Sequence, residues 1–260
     1  MTAPHILFET DGAIASLTFN RPEARNALTW EMYDGLVNAC ERVDGAGDVR
    51  VFVLKGAGNA FAAGTDIAQF ASFTTRQDAI AYERRLDAVI DRLERVRAAT
   101  IAQVRGAATG GGCAIALACD LRVCSPDARF GVPIARTLGN CLSGANYARL
   151  IDLIGPARTK DLLFSARLLE ASEAASLGLV TRIADAADLD GAVAELAATI
   201  AANAPLTVTA TKEAVRRIQA ARRVPAEQFD DLIAECYLSA DFKEGVAAFL
   251  AKRAPRFSGR

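Results

Sequence analysis

Short apolar strands alternate with helical patterns along most of the chain, and this alternation is the strongest constraint on its fold. Segment 49–56 (VRVFVLKG) is almost wholly apolar, which is typical of a strand covered on both faces, and 100–106 (TIAQVRG) is another predicted buried strand. Helical patterns lie between them, at about 30–44 behind Thr29 as a candidate N-cap and at 76–97. We therefore predict an α/β core with mostly parallel strands.

The two ends of the chain differ from this core. The N-terminal segment predicts two strands joined at the turn dipeptide Asp11-Gly12. Past Gly144 the pattern is mainly helical, and the last helices carry apolar stripes that need a surface to bury them. We predict a core over 1–200 and a C-terminal helical region over 201–260 whose stripes meet another subunit.

Composition limits the classes of function. Hydrophobic residues make up 52% and charged residues 23% of the chain, as in globular proteins, and the net charge is −1. This balance gives no support for nucleic acid or an anionic membrane as a partner. No apolar run approaches the ~18 residues that a membrane span needs, and the N-terminus lacks the features of a signal or transit peptide. We expect a cytoplasmic protein.

Histidine and cysteine usage narrows the chemistry. The only histidine is His5, close to the N-terminus, so Ser–His–Asp and Cys–His catalysis are disfavoured. The six cysteines form no CxxC pair and sit mostly in apolar segments. We expect buried, reduced thiols and no metal site.

Two segments combine a strand, small residues and a helix start. They are VFVLKGAGNAFAAGTDI (51–67) and IAQVRGAATGGGCAIALACD (101–120). Helix N-termini present free N–H groups and partial positive charge, so two facing termini would supply two donors to one carbonyl oxygen. Each segment alone is a weak signal, because a GGG turn more often serves tight packing. The nucleotide-binding patterns GxxxxGK[ST] and GxGxxG are missing.

Taken in order, the motifs resemble those of the crotonase superfamily, the enoyl-CoA hydratase/isomerase family. The resemblance covers nearly the whole chain and rests on six segments: LTFNRPEARNALTWEMYDGL, GNAFAAGTDI, VRGAATGGGCAIALACDLRV, ARFGVP, APLTVTATKEAV and GVAAFLAKRAPRF. It implies a spiral of ββα units, with C-terminal helices that assemble a homotrimer or a dimer of trimers. It also implies an acyl-CoA thioester as substrate and no cofactor beyond the coenzyme A of that substrate.

The resemblance assigns residues to the site. The oxyanion amides fall on Thr65 and Gly111. Contacts to the CoA ester fall on Ala24, Arg25, Ala27, Ala63, Asp66, Ile67, Gly110 and Pro133. Two of these have an alternative role from residue chemistry alone, because Asp66 also suits a helix cap and Arg25 also suits a solvated surface.

The sequence departs from the family pattern at its acid–base positions. Hydratases of the family carry a glutamate after the GGG-Cys block and another after the F-G-x-P segment, where this chain has Ala114 and Ile134. Neither side chain can transfer a proton.

Segment 133–147 offers replacements, of which we select Arg136 and Ser143. Arg136 would bind a carboxylate or polarise a leaving group, or else pair with a neighbouring helix. Ser143 falls near an aspartate position of dienoyl-CoA isomerases, or else caps a helix together with Asn140, beside a buried Cys141.

Three functions are therefore compared. The first is an enzyme that forms a thioester enolate, by decarboxylation, isomerisation, hydrolysis or an atypical hydration. The second is a catalytically silent acyl-CoA-binding or scaffold protein, suggested by Ala114 and Ile134. The third, an RNA-binding role, is disfavoured by the net charge of −1.

Overall fold

The largest sheet of the computed structural model, which describes residues 4–260, has six strands. In sheet order they are β1 (Ile6–Asp11), β2 (Ile14–Phe19), β3 (Val51–Gly56), β5 (Ala99–Val104), β7 (Leu121–Cys124) and β10 (Arg182–Ile183). β1 and β2 form an antiparallel hairpin, and every later pairing is parallel. The predicted α/β class and parallel core are confirmed.

The residue patterns did not predict a second sheet of four short strands, although the ββα units implied by the resemblance contain two strands each. Its strands are β4 (Ala60–Ala62), β6 (Ala107–Thr109), β8 (Arg129–Gly131) and β9 (Leu169–Glu170). The chain repeats a unit of two strands and a helix. In this ββα unit, β3 and β4 are followed by α2, and β5 and β6 are followed by α3. Strands of two or three residues carry too little periodicity to be distinguished from loops.

Ten α-helices complete the described part of the chain. They are α1 (Trp30–Ala46), α2 (Arg76–Glu94), α3 (Gly111–Ala118), α4 (Ile134–Thr137), α5 (Gly144–Ser165), α6 (Ala171–Ser176), α7 (Leu189–Ala202), α8 (Pro205–Ala220), α9 (Asp230–Leu238) and α10 (Ala240–Leu250). Thr29 caps α1 as predicted, since its side chain accepts from the Met32 amide. α5 bends at Gly155, immediately before Pro156.

The parallel sheet is covered on both faces. Phe52 and Leu54 of β3 belong to the main core, together with residues of α1, α2 and α3. Val51 and Val53, which alternate with them, pack against Leu189 and other residues of α7 in a smaller cluster. The run of apolar residues in β3 therefore reflects burial of both faces, as the sequence predicts.

The C-terminal helices keep apolar residues on the surface. On α8, Leu206 is 80% exposed and Ile218 is 59% exposed. The predicted stripes lie on α9 and α10, where Ile233, Phe242 and Val246 are buried within the chain. Leu232, Phe249 and Leu250 of the same helices stay about half exposed. The oligomeric assembly stays a prediction. Among residues 4–260, no single helix has the length and apolarity to cross a membrane, although α7 and α8, bent by 104°, satisfy that criterion as a pair.

A buried ion triad, formed by one carboxylate and two guanidinium groups, joins α2 to α5 and to the segment after α8. Arg149 of α5 and Arg223 beyond α8 both bind the Glu94 carboxylate, with N–O distances of 2.6 Å and 3.0 Å. The side chains of Arg149 and Glu94 are only 5% and 13% exposed. Burial alone would raise the pKa of Glu94, but the two guanidinium groups outweigh it and lower the pKa to about 2.

Replacing Glu94 by Gln should lower the free energy of unfolding by about 3 kcal/mol, because two arginines lose their counter-charge in a buried place. Urea unfolding at pH 7 measures the loss. The matched control is Glu213→Gln, which removes an exposed carboxylate that also binds two arginines, Arg216 and Arg217, and should cost far less. Equal losses for the two variants would contradict a special role for the buried triad.

Candidate active site

A cavity of about 590 Å³ lies between α2, α3, α4 and the loop after β4. Much of its wall is apolar, with Phe70, Leu86 and Leu142 among the lining residues, and a few polar groups converge on it, as is typical of a ligand site. Its walls include every predicted oxyanion and CoA-contact residue: Ala24, Arg25, Ala27, Ala63, Thr65, Asp66, Ile67, Gly110, Gly111 and Pro133. A larger cavity of about 770 Å³ beside α8 holds none of them.

The three glycines at the start of α3 are each required for a separate steric reason. Gly110 has a φ of +52°, a conformation that disfavours L side chains. A Cβ on Gly111 would lie 2.3 Å from the Tyr33 hydroxyl oxygen. A Cβ on Gly112 would lie 2.2 Å from the Ala62 carbonyl oxygen. The tripeptide therefore lets the first turn of α3 approach α1 and β4 closely.

The loop after β4 runs alongside residues 25–28. Leu28 donates its amide to the Gly64 carbonyl at 2.8 Å, and Asp66 donates its amide to the Leu28 carbonyl at 2.9 Å. Thr65 lies between these two bonds, and its own amide donates to no acceptor among residues 4–260. Thr65 also lines the cavity, so its N–H is a candidate donor to a ligand there.

The Gly111 amide is available for a different reason. Gly111 is the first residue of α3, and the first amides of a helix have no partner within it. The two turns are in contact, because a Cβ on Gly111 would lie 3.0 Å from Thr65 Oγ1 and one on Gly110 would lie 3.4 Å from Gly64 Cα. Two unpaired amides, one per turn, therefore border one cavity.

Two tyrosines hold the Thr65 side chain. Its hydroxyl hydrogen-bonds the Tyr33 hydroxyl at 2.8 Å and the Tyr82 hydroxyl at 3.1 Å. Tyr33 comes from α1 and Tyr82 from α2, and burial raises the pKa of both phenols. Because both tyrosines are buried and stay protonated, they fix the loop that carries the Thr65 amide.

Hydrogen bonds and an ion pair made by the Asn26 and Arg21 side chains fix the segment from Arg21 to Ala27. The fully buried Asn26 side chain accepts from the Arg21 amide at 2.8 Å and donates to the Ala60 carbonyl at 2.8 Å. The Arg21 guanidinium binds the Asp66 carboxylate at 2.7 Å. Arg25 is exposed at the cavity and forms no ion pair with a residue of the described chain, so its cation is free for an anionic ligand.

Asp66 combines both roles considered for it. Its Oδ1 caps the short 3₁₀ turn Ile67–Ser72 by accepting from the Ala68 amide at 3.1 Å, while the residue lines the cavity. Because the Arg21 guanidinium already binds its other oxygen, this carboxylate is a poor candidate for proton transfer.

The structure does not bring Arg136 and Ser143 to the cavity wall. Arg136 is exposed on α4. Ser143 caps α5 and donates its hydroxyl to Asp87 at 2.6 Å. The capping alternative for Ser143 is therefore the one that the contacts show. Asn140 from the same segment does line the cavity, with its Oδ1 buried and without a partner among residues 4–260.

Glu83 is the cavity residue that the sequence analysis missed. Glu83 is one of the charged residues of α2, the helix predicted at 76–97, yet it is only 3% exposed. α9 packs on α2, and Tyr237 of α9 donates its hydroxyl to Glu83 Oε1. A signal was present in the sequence, since Glu83 lies on the same helical stripe as the buried Ile80 and Ile90.

The other carboxylate oxygen of Glu83 has no partner. Oε2 is buried and makes no hydrogen bond to residues 4–260. Burial raises the pKa of Glu83 from 4.5 to about 8. The Tyr237 hydrogen bond and, to a smaller extent, the nearby backbone amide of Ser143 offset this in part, and the charge of Asp87 adds to it. A buried carboxyl with a raised pKa in a cavity is a candidate acid–base group.

The positions expected to carry glutamates also line this cavity. Ala114 stands on the first turn of α3, and Ile134 begins α4. Among the described residues, no cluster of three or more His, Cys, Asp and Glu side chains could hold a metal ion.

The chain is similar to known proteins along its whole length. The profile of the family described as enoyl-CoA hydratase/isomerase matches residues 9–260. A probable enoyl-CoA hydratase of Mycobacterium tuberculosis is 35% identical over 261 residues, covering 100% of both chains. The peroxisomal Delta(3,5)-Delta(2,4)-dienoyl-CoA isomerase of Arabidopsis thaliana is 33% identical over 270 residues, covering 96% of this chain and 94% of its own.

A solved structure agrees with these sequence relatives. The crystal structure of methylmalonyl-CoA decarboxylase complexed with 2S-carboxypropyl CoA superimposes with a TM-score of 0.90 at 25% identity, covering 100% of both chains. The predicted crotonase-like fold is confirmed by this match. This chain belongs to the enoyl-CoA hydratase/isomerase family.

Proposed function

We propose that this protein is an enzyme that binds an acyl-CoA thioester and stabilises its enolate with the backbone amides of Thr65 and Gly111. The observation that carries the proposal is the pair of unpaired amides on two touching turns of one cavity. Donors placed where charge develops are typically worth about 3–4 kcal/mol of barrier each. Coenzyme A is part of the substrate, and the proposed chemistry requires no metal.

The remaining lining residues fit this ligand. Arg25 supplies a cation for the phosphates of coenzyme A at the exposed edge of the cavity, where Ala24 and Ala27 leave room for a ligand to approach the backbone. Apolar residues such as Phe70 and Leu142 suit an acyl chain. Relatives named as hydratases, an isomerase and a decarboxylase all act on CoA esters by their names, and an enolate is a shared route to such reactions.

Decarboxylation is the second candidate reaction. Ala114 and Ile134 carry no ionisable group, and loss of CO₂ from a malonyl-type thioester needs an oxyanion hole but no base to remove a proton. The similarity to methylmalonyl-CoA decarboxylase favours the same reading. The C–C bond to the carboxylate breaks, its electron pair forms the enolate, and a proton then completes the product.

The test compares two ligands that differ only at the carbonyl. Calorimetry should show that butyryl-CoA binds at least about tenfold more tightly than S-butyl-CoA, its thioether analogue, because the thioether cannot accept the two hydrogen bonds. A panel of acyl-, enoyl- and malonyl-type CoA esters, followed by mass spectrometry, then identifies the reaction. Equal affinities for ester and thioether would contradict the oxyanion hole, and tight binding without turnover of any ester would establish a silent binder instead.

A further inference from the structure

The cavity contains two carboxyl groups, and their surroundings differ. Asp66 is bound by the Arg21 guanidinium at 2.7 Å and caps a turn. Glu83 forms no ion pair with any residue of the described chain, is 3% exposed, and keeps Oε2 free of hydrogen bonds. A buried acceptor without a partner lowers the stability of the fold. An unpaired carboxyl oxygen in a ligand cavity therefore suggests a role in ligand binding or catalysis.

Glu83 is linked to the loop that carries the Thr65 amide. Its neighbour on α2, Tyr82, binds the Thr65 hydroxyl at 3.1 Å. On the other side, Asn140 donates to the Tyr237 hydroxyl at 2.9 Å, and that hydroxyl donates to Glu83 Oε1. One carboxylate oxygen is thus fixed by a relay of hydrogen bonds, and the other is buried at the cavity wall without a hydrogen-bond partner among residues 4–260.

We propose that Glu83 is the catalytic group that transfers a proton at the acyl chain of the bound thioester. The assignment deepens the proposed function and rests on it. Glu83 would replace the two glutamates that the family pattern places at Ala114 and Ile134, although it comes from a different helix.

The step balances as a simple proton transfer. Glu83 Oε2 takes a proton from the α-carbon, the C–H electron pair becomes the enolate C=C bond, and the charge collects on the thioester oxygen between the Thr65 and Gly111 amides. Return of the proton to the α-carbon gives exchange with solvent, and its delivery to a more distant carbon of the same conjugated system gives isomerisation. After decarboxylation, the same group would protonate the enolate.

The surroundings of Glu83 leave its pKa near the operating pH. Burial raises that pKa to about 8, and the Tyr237 hydrogen bond keeps it from rising further. The titratable groups that interact with it are Asp87 on α2, four phenols and one thiol: Tyr33, Tyr82, Tyr147, Tyr237 and Cys141. The pKa values of the four phenols and the thiol are all raised, so these groups are neutral at pH 7, and none of the groups named offers a positive charge that would favour ionisation of Glu83.

The test measures exchange of the α-protons of butyryl-CoA in D₂O by mass spectrometry. Wild-type protein should incorporate deuterium, and Glu83→Gln should slow incorporation by about 10²- to 10⁴-fold while binding butyryl-CoA with unchanged affinity by calorimetry. The matched control is Asp91→Asn, the same loss of a carboxylate on α2 at a half-exposed position outside the cavity, which should exchange at the wild-type rate. Circular dichroism verifies that each variant is folded.

A pH profile gives a second readout that a merely structural role would not move. The exchange rate should rise with pH, reach half its maximum near pH 8 and level off above that, since the ionised carboxylate is the base. Tyr237→Phe removes a hydrogen bond that lowers the pKa of Glu83, so its profile should shift to higher pH. This variant also serves if Glu83→Gln fails to fold.

The outcomes separate the two proposals. If wild-type protein binds butyryl-CoA and Glu83→Gln exchanges as fast as wild type, or if Tyr237→Phe leaves the profile unmoved, the role of Glu83 is overturned while the proposed function stands. Binding without exchange in wild-type protein also overturns the role of Glu83. If wild-type protein does not bind butyryl-CoA at all, both proposals fail.

Discussion

Replacing Gly111 by alanine should slow α-proton exchange of butyryl-CoA by about 10²- to 10³-fold, the usual effect of losing one oxyanion donor. The added Cβ would lie 2.3 Å from the Tyr33 hydroxyl oxygen, well inside van der Waals contact. Tyr33 is fully buried and packs on Trp30 with ring centroids 5.6 Å apart, so it cannot retreat far. The first turn of α3 must move instead, and the Gly111 amide moves with it.

A double-mutant cycle with Tyr33→Phe identifies this clash as the cause. The single variant Tyr33→Phe should cost little, because Thr65 keeps its hydrogen bond to Tyr82. Combined with Gly111→Ala it should restore part of the exchange rate, with a coupling of about 1–3 kcal/mol, because the next contact of the Cβ, Thr65 Oγ1, is at 3.0 Å. Gly191→Ala, whose Cβ on α7 meets nothing within 4 Å, should behave like wild type. Exchange by Gly111→Ala at the wild-type rate would show that this amide plays no part.

Replacing Glu83 by Gln should stabilise the protein increasingly as the pH rises. In the folded protein the pKa of Glu83 is raised from 4.5 to about 8, so the folded state holds a proton that the unfolded state has released between these values. Wild-type stability therefore falls as the pH rises from 4.5 to 8, and the fall is absent from a variant that does not ionise. At 1.36 kcal/mol per pKa unit, the difference should grow by about 3–5 kcal/mol over this window.

Thermal or urea unfolding of both proteins at several pH values measures this difference. The pH-dependent part is the readout, since the new amide changes the hydrogen bonding by a constant amount. Glu94→Gln is a control with the opposite sign, because the pKa of Glu94 is lowered to about 2. Its carboxylate stabilises the fold above pH 4.5 and loses that effect only as the pH falls towards 2. A constant offset for Glu83→Gln between pH 5 and 9 would contradict a raised pKa for Glu83.

Loss of exchange together with a gain in stability would mark Glu83 as a functional residue. If a carboxylate serves only to stabilise the fold, its replacement by an amide should destabilise the protein, as is expected for Glu94 in its ion triad. A carboxyl kept for chemistry carries a desolvation cost that its replacement relieves. The two glutamates of α2 therefore give a comparison within one helix, with the direction of each effect fixed by its partners.

Much of the site follows from local sequence. The Gly110–Gly112 turn, the unpaired amide at the start of α3 and the cap at Asp66 depend on neighbours in the chain, so spacing and residue type predict them. The family resemblance, which rests on the order of the motifs, predicted the oxyanion pair and the CoA contacts. All of those residues line the cavity. The short strands of the second sheet escaped prediction because three residues cannot show a period.

The sequence by itself determined the α/β class, the parallel core and the position of the two glycine-bearing turns, because these rest on periodicity and residue type within a few positions. The close contacts of Gly111 with Tyr33 and of Gly112 with Ala62 depend on the tertiary structure. Only the tertiary structure decided which carboxyl is buried. Glu83 meets Tyr237, which lies 154 positions away, and it is this packing of α9 on α2 that removes water from the carboxyl and raises its pKa. Helical spacing places Glu83 beside Ile80 and Ile90. Its desolvation, however, depends on which element packs on that face of α2, and this element, α9, lies near the C-terminal end of the chain.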